Sequence, residues 1–417
     1  NEFPVERYQS QRDIMPTETF TIETNAGHNL AGSLELPTGL VRGAALFAHC
    51  FTCTKQSKAA IATARALASH GIATLRFDFT GLGGSEGEFG RAGFATDVDD
   101  LVAAAQSLID RFDTKILLVG HSLGGAAVLA AAGDLGFEHV AGIATIGAPS
   151  DVPHALERID GDIEAIKSKG QGDVTIGGRP FSLSSQFIER TEGAMLLAEV
   201  ERLRVPLMIM HAPTDAIVGI EHASKLFGAA KHPKSFVSLD GADHLLLEEK
   251  DAQFAAAIIA SWAGRYLPKH DELGTPEDGV IIRTGHGKFG TEVHTTSHHF
   301  IADEPLSYGG DNTGPTPYDL LLAALGTCTA MTMKMYADRK KMAFEGTTIH
   351  VTHERNHSED LGHEMEEDGM NVQALHREIE LHGDLNDEER VKLIEIADKC
   401  PVHKTLEGHL HVHTEAA

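Results

Sequence analysis

The sequence predicts an α/β protein with a mostly parallel sheet of eight strands and a small cap, followed by a second, α+β unit. Three observations predict it. Short β-branched runs alternate with helical patterns through the first 265 residues. The alternation lapses between Pro149 and Val205, and it is replaced after Leu267 by partly segregated strands and helices. A chain of 417 residues is also too long for one ordinary core.

The eight strands are expected near Phe20–Thr24, Leu30–Leu36, Ala44–Ala48, Ile72–Phe77, Ile116–Val119, Val140–Ile146, Pro206–His211 and Ser235–Leu239. Asn25-Ala26-Gly27 separates the first two and fits an antiparallel hairpin. The later strands need crossover helices and so fit parallel pairing. Residues 150–205 combine a helical stretch, His154 to Ser168, with a Gly-rich turn region, Gly170 to Gly178. An insertion of this size at a strand's carboxyl end reads as a cap over a binding site. Pro268, Gly274, Pro276 and Gly279 mark a linker over 268–278. Met15-Pro16-Thr17 reads as a natural initiator, so residues 1–14 are expected to be an artificial extension, leaving 15–267 and 279–417 as the two domains.

In the second domain, strands are expected near Val280–Thr284, Glu292–Thr295, Thr347–His353 and Arg377–Leu381. Helices are expected from Pro317 to about Lys340 and from Asp387 to Lys399. Thr316-Pro317-Tyr318-Asp319 supplies an N-cap, a first-turn proline and an acid at the third position. The apolar run Leu320 to Met333 lies between Asp319 and Lys334, falls short of the roughly 20 residues a bilayer span needs, and reads as a buried helix.

Composition narrows the function. Lys and Arg number 35 against 61 Asp and Glu, a formal charge of −26 that repels nucleic acid and anionic membranes. No secretory signal is seen, so a cytoplasmic protein with reduced cysteines is expected. The 25 histidines include His409, His411 and His413, which alternate as on a strand edge; no metal and no cofactor is assigned to them or elsewhere.

Gly120-His121-Ser122-Leu123-Gly124 lies between the strand ending at Val119 and a helical run from Gly125. In that strand–turn–helix setting the serine hydroxyl stands exposed above the sheet as a nucleophile. A serine needs a base and an orienting acid. His244, just past the eighth strand, and Asp215, just past the seventh, supply them in the order Ser, Asp, His; Asp240 and Asp243 are too close to His244 in sequence to be favoured as the acid. The oxyanion donors are expected to be the backbone N–H groups of Leu123 and Phe51.

Together these residues resemble the α/β-hydrolase fold. His49-Cys50-Phe51-Thr52, Arg76-Phe77-Asp78-Phe79 and Gly81 to Gly87 resemble the oxyanion and fourth-strand loops of cinnamoyl and feruloyl esterases. The resemblance covers most of 15–267 and implies a serine carboxylesterase acting on small acyl or aromatic esters. A serine peptidase on the same fold is the alternative. Cys50 stands where that loop usually has glycine. Cys50 and Cys53 have dithiol spacing, but not the helix N-terminus of a thioredoxin-like unit, and are expected to be small buried thiols.

Gly314 to Leu321, Gly326 to Thr332 and Asp398-Lys399-Cys400-Pro401-Val402-His403-Lys404-Thr405-Leu406 resemble the OsmC-like family, which includes organic hydroperoxide reductases. The resemblance implies a homodimer, Cys328 as the thiol that attacks an organic hydroperoxide, and Cys400 as the thiol that resolves it. Where those reductases place an activating glutamate and arginine, this chain offers Tyr318 or Asp319 and Arg283 or Lys288. A domain that only dimerises, and a peroxidase with a vestigial hydrolase part, both remain open.

Overall fold

A computed structural model describes residues 16–50, 53–152, 159–176, 179–192, 195–267, 276–285, 287–357 and 371–416. In chain order its strands open with β1 Thr17–Glu23, β2 Asn29–Glu35, β3 Gly43–Ala48, β4 Ile72–Phe77, β5 Ile116–His121 and β6 Val140–Ile146. The cap holds β7 Ile159–Asp160, β8 Gln171–Ile176 and β9 Arg179–Ser184, after which β10 Leu207–His211 and β11 Lys234–Ser238 return to the main sheet. The intervening helices are α1 Lys58–Ser69, α2 Phe89–Ala92, α3 Phe94–Phe112, α4 Leu123–Leu135, α5 Ile163–Lys169, α6 Ser185–Glu192, α7 Leu196–Arg202, α8 Ile220–Ala229 and α9 Glu249–Ala263.

The main sheet has eight strands in the order β1-β2-β4-β3-β5-β6-β10-β11. Pairing is antiparallel from β1 to β2 and from β2 to β4, and parallel throughout the rest. The chain leaves β3 toward β4 on one side and returns to β5 on the other, so the strand order reverses beside β3. In open α/β sheets the crevice at such a reversal, outside the strands' carboxyl ends, receives ligands.

The central strands read as unbroken apolar runs because both faces are covered. On β3, Ala44, Leu46 and Ala48 face the cluster built on α3, α4 and α7, while Ala45 and Phe47 face the cluster built on α1 and α9. On β5, Ile116 and Leu118 divide from Leu117 and Val119 in the same way.

The cap is more strand-rich than its sequence suggests. β7, β8 and β9 form a three-stranded antiparallel sheet. The span read as Gly-rich turn therefore contains β8, whose Val174 and Ile176 enter a core with Leu183, Phe187 and Ile188. The expected helix from His154 starts only at Ile163; residues 153–158 lie outside the description.

Beyond the hydrolase-like sheet, β12 Ile281–Thr284, β13 Thr291–His294 and β14 His299–Ala302 form a second antiparallel sheet. Packing places these strands with the first compact unit, which runs to Gly314; the second runs from Pro315. One physical tie is Glu292 on β13. Its carboxylate accepts hydrogen bonds from Leu40 N at 3.2 Å, Arg42 at 3.3 Å and Arg283 at 2.8 Å. Most of the expected linker, residues 268–275, lies outside the description.

The second unit contains α10 Pro317–Lys340, the long hairpin of β15 Phe344–His357 with β16 Asn371–Gly383, α11 Asp387–Ala397 and α12 Pro401–Glu407. Thr316 and Asp319 close the expected capping box on α10. Among the described residues α10 is long and apolar enough to cross a bilayer, but the match rests on length and composition alone. Its burial differs from the expectation: only Leu325, Thr329, Met333 and Ala337 are covered within the unit, and Met331 and Met335 are exposed. His409, His411 and His413 lie in an exposed, irregular end, so the strand alternation expected there does not form.

Burial pushes the Glu292 carboxyl up, but its bonds to Arg283 and Leu40 N and the charge of Arg42 outweigh burial and hold it at about 2. A depressed carboxyl contributes stability above its unfolded value, and loses it as pH falls from about 4.5 toward 2. Glu292→Gln should lower the melting midpoint by a few degrees at pH 7, and the difference from wild type should shrink across that acid window in scanning calorimetry.

Candidate active site

Ser122 follows β5 directly and holds φ 54° and ψ −122°, a left-handed conformation that a β-carbon disfavours. The turn persists because the surrounding backbone leaves no alternative. Ser122 N donates to Ile146 O at 2.8 Å, and Gly125 N donates to Ser122 O at 2.9 Å. The motif glycines answer to space. A Cβ on Gly120 would come within 2.3 Å of Gly124 O, and one on Gly124 within 2.4 Å of both Ala48 O and His49 O.

The sheet brings the three expected side chains into one hydrogen-bonded row. His244 Nε2 lies 2.9 Å from Ser122 Oγ, and its Nδ1 lies 2.7 Å from Asp215 Oδ2. The other carboxylate oxygen of Asp215 accepts from Ile217 N at 2.8 Å and Val218 N at 2.9 Å. Burial raises the Asp215 pKa, yet the bonds from His244, Val218 and Ile217 outweigh it and hold the carboxyl below its ordinary value. An ionised Asp215 accepts from Nδ1–H, which leaves Nε2 free to accept the serine proton.

Two further histidines support this row and were not singled out from sequence. His121 is buried, and its Nε2–H donates to the backbone carbonyl of His244 at 2.7 Å. Burial, reinforced by repulsion from His244, lowers its pKa to about 4, so it supports the loop as a neutral donor. His211 Nε2–H donates to Val218 O at 2.8 Å and steadies the turn that feeds Asp215. The His121 contact spans 123 positions and the His211 contact closes a turn of seven, and neither follows a helix or strand period.

Leu123 opens α4, where first-turn N–H groups lack intrahelical partners. Phe51, the other expected donor, lies outside the described residues. Its flanks are described, and they correct one expectation: Cys50 and Cys53 form a disulfide, with Cα atoms 5.3 Å apart. The cause is local, since Cys53 N donates to Cys50 O at 3.0 Å and that bond brings the two cysteines together. Lys55, two residues on, is gripped from below. Asp78 accepts from its backbone N–H at 2.7 Å and pairs with its ammonium, while Arg76 donates to its carbonyl at 2.5 Å and to Glu35 at 2.6 Å.

In the second unit Cys328 is partly exposed on α10 and Cys400 is buried at the N-cap of α12. His403 N lies 3.3 Å and Thr329 Oγ1 3.7 Å from Cys400 Sγ. Burial raises the Cys400 pKa, but hydrogen bonds from His403 N, Cys328 and Thr329 outweigh it and lower the thiol. Three of the four expected activators have other partners: Asp319 closes the α10 cap, Tyr318 stacks on His353 at 4.6 Å, and Arg283 pairs with Glu292. Arg377 on β16 is the guanidinium at this cluster, reaching Thr329 Oγ1 at 3.0 Å and Asp398 at 2.9 Å. Its position in a strand gave no hint of that role.

The strand order and the serine turn define an α/β-hydrolase fold, followed by a separate OsmC-like domain. A family model described as the alpha/beta hydrolase family matches residues 40–257, and the chain belongs to that family. A second model, OsmC-like protein, matches residues 310–415. Among solved structures, the esterase domain of a Rhodothermus marinus protein is 47% identical, covering 60% of this chain and 99% of that one with a TM-score of 0.50. Est1E of Butyrivibrio proteoclasticus, solved with ferulic acid bound, is 20% identical and shares the fold, covering 59% and 98% with a TM-score of 0.53. The uncharacterized protein YfhR of Escherichia coli O157:H7 is 24% identical over 175 residues, which are 40% of this chain and 52% of YfhR. The chain spans about half the length of the curated relatives it matches.

The disulfide is open to a direct check. Denaturing the unreduced protein in iodoacetamide should alkylate Cys328 and Cys400 alone, with Cys50 and Cys53 modified only after dithiothreitol. Four alkylated cysteines without reductant would contradict the pairing.

Proposed function

We propose that the first unit is a serine carboxylesterase acting on small acyl or aromatic esters. The observation that carries this reading is the unbroken row Ser122–His244–Asp215 at the carboxyl ends of the sheet. Ser122 Oγ attacks the ester carbonyl as His244 Nε2 takes its proton, and Asp215 stabilises the resulting imidazolium. The oxyanion is held by backbone N–H groups, Leu123 foremost. The imidazolium then protonates the departing alcohol, and water enters by the same route to release the acid. The esterase domain from Rhodothermus marinus and the ferulic acid complex of Est1E support an ester substrate. The cap, whose Phe181 and Phe187 lie 4.9 and 5.6 Å from Phe89, is suited to shape the acyl site.

Ser122→Ala or His244→Ala should lower kcat on p-nitrophenyl esters by about 10⁴ to 10⁶, and Asp215→Asn by about 10⁴. Stopped assays on purified variants, with peptide amides in parallel, check this. Near-normal ester hydrolysis by Ser122→Ala would remove the assignment, and faster amide than ester turnover would favour a peptidase.

A second activity rests on the hydrogen bonds that Cys400 accepts. We infer a thiol peroxidase in which Cys328 reduces an organic hydroperoxide to its alcohol, becoming a sulfenic acid, and Cys400 condenses with it to a disulfide and water. The exposed apolar side of α10 suits a homodimer. Brief treatment of the reduced protein with cumene hydroperoxide should link Cys328 to Cys400 in peptide maps, and Arg377→Met should slow that linkage by about tenfold, the loss of one charge-assisted hydrogen bond. A Cys328 that stays a thiol under excess hydroperoxide would leave the domain a dimeriser.

A further inference from the structure

Beside the serine turn lies a slot with a free volume of about 10 Å³, room for one water-sized group. Phe79, Leu82, Phe89 and Leu123 give it an apolar wall, and two polar groups interrupt that wall, His49 and Asp97. Leu123 and Gly124, the two residues after Ser122, form one side of it.

One of them, His49, has unmet hydrogen-bonding capacity among the described residues. His49 is buried and packs edge-on against Phe79 at 4.9 Å. Its Nδ1 lies 2.8 Å from Cys50 O. A carbonyl only accepts, so Nδ1 carries the proton and Nε2 presents a lone pair. Among the described residues that Nε2 has no hydrogen-bond partner. A buried acceptor left unmade costs about 1–3 kcal/mol and calls for an explanation. Burial also lowers the His49 pKa, which keeps the ring neutral. Asp97 is half-buried at the start of α3. Its withdrawal from water, with repulsion from Asp100, pushes its pKa well above the ordinary carboxylate value and favours the protonated acid. The slot thus offers a lone pair on His49 Nε2 and a carboxyl shifted toward its protonated form, in an apolar setting.

We propose that this slot receives a hydroxyl borne on the acyl group of the substrate, donating to His49 Nε2 and accepting from the Asp97 carboxyl. The size of the slot excludes a ring or a branched chain, and its polarity disfavours a bare methyl. The substrate class is therefore esters of short hydroxy acids, with the hydroxyl close to the carbonyl. This rests on the esterase reading above and narrows it, since a site built to hydrogen-bond a hydroxyl discriminates against the analogue that lacks one.

The test compares p-nitrophenyl esters of butyric, 2-hydroxybutyric and 3-hydroxybutyric acids on the full chain. Wild type should prefer one hydroxyacyl ester over butyrate by about tenfold in kcat/KM, the scale of one or two net hydrogen bonds. Asp97→Leu should reduce that ratio to about one. Asp97→Asn, which keeps a donor and an acceptor, should preserve most of it. A wild-type ratio of one, as for a slot filled by a resident water, or a ratio indifferent to Asp97→Leu, overturns the proposal. If no ester is hydrolysed the esterase reading fails instead, and saturation-transfer NMR with the free acids then decides the slot. A hydroxybutyrate signal that is present in wild type and vanishes in Asp97→Leu supports it, and no signal in wild type overturns it.

Discussion

The first turn of α4 lies so close to the carboxyl end of β3 that no side chain fits between them, and the site depends on this contact. Gly124 meets the carbonyls of Ala48 and His49, and Gly120 meets Gly124 in turn. With both positions reduced to backbone, Ser122 is lifted into its left-handed conformation beside the end of β3. The order of strands makes this geometry available, because β3 and β5 are neighbours only where the chain reverses its direction of travel across the sheet.

The loop after β3 then has to be held without the glycine such loops ordinarily use. Here the structure substitutes cross-links for conformational freedom. The Cys50–Cys53 disulfide closes the turn, and Asp78 and Arg76 take hold of the backbone N–H and carbonyl of Lys55. Glu35, fully buried, completes the chain of charges by pairing Arg76. Such buried ions are worth little as isolated pairs, and removing one partner leaves the other uncompensated. Their arrangement fixes a loop position; it is a poor source of net stability.

Legibility in the sequence followed the range of the interaction. The eight main strands lie within a few residues of expectation because continuous apolar runs report burial on two faces. Ser122, Asp215 and His244 were readable because each sits where a strand ends. The α10 boundary was written locally in Thr316, Pro317 and Asp319. What escaped was polar and long-range. His121 bonds a residue 123 positions away, and Arg377 reaches Thr329 across 48 positions. β14 is a four-residue strand with two of its residues exposed, and so lacks a clear period. β8 was hidden by glycines that proved to border or enter a strand, and Cys50 and Cys53 carried a spacing whose context argued for thiols.

The seat of α10 has a mechanical consequence. Its buried residues Leu325, Thr329, Met333 and Ala337 recur every fourth position. At 3.6 residues per turn each step gains about 40° of azimuth, so over roughly 18 Å the buried line winds through about 120°. α10 is therefore held along a screw thread, with Cys328 beside it and Thr329 on it. A helix gripped in this way cannot slide lengthwise without also rotating, and a push along its axis would be felt at the thiols as a twist.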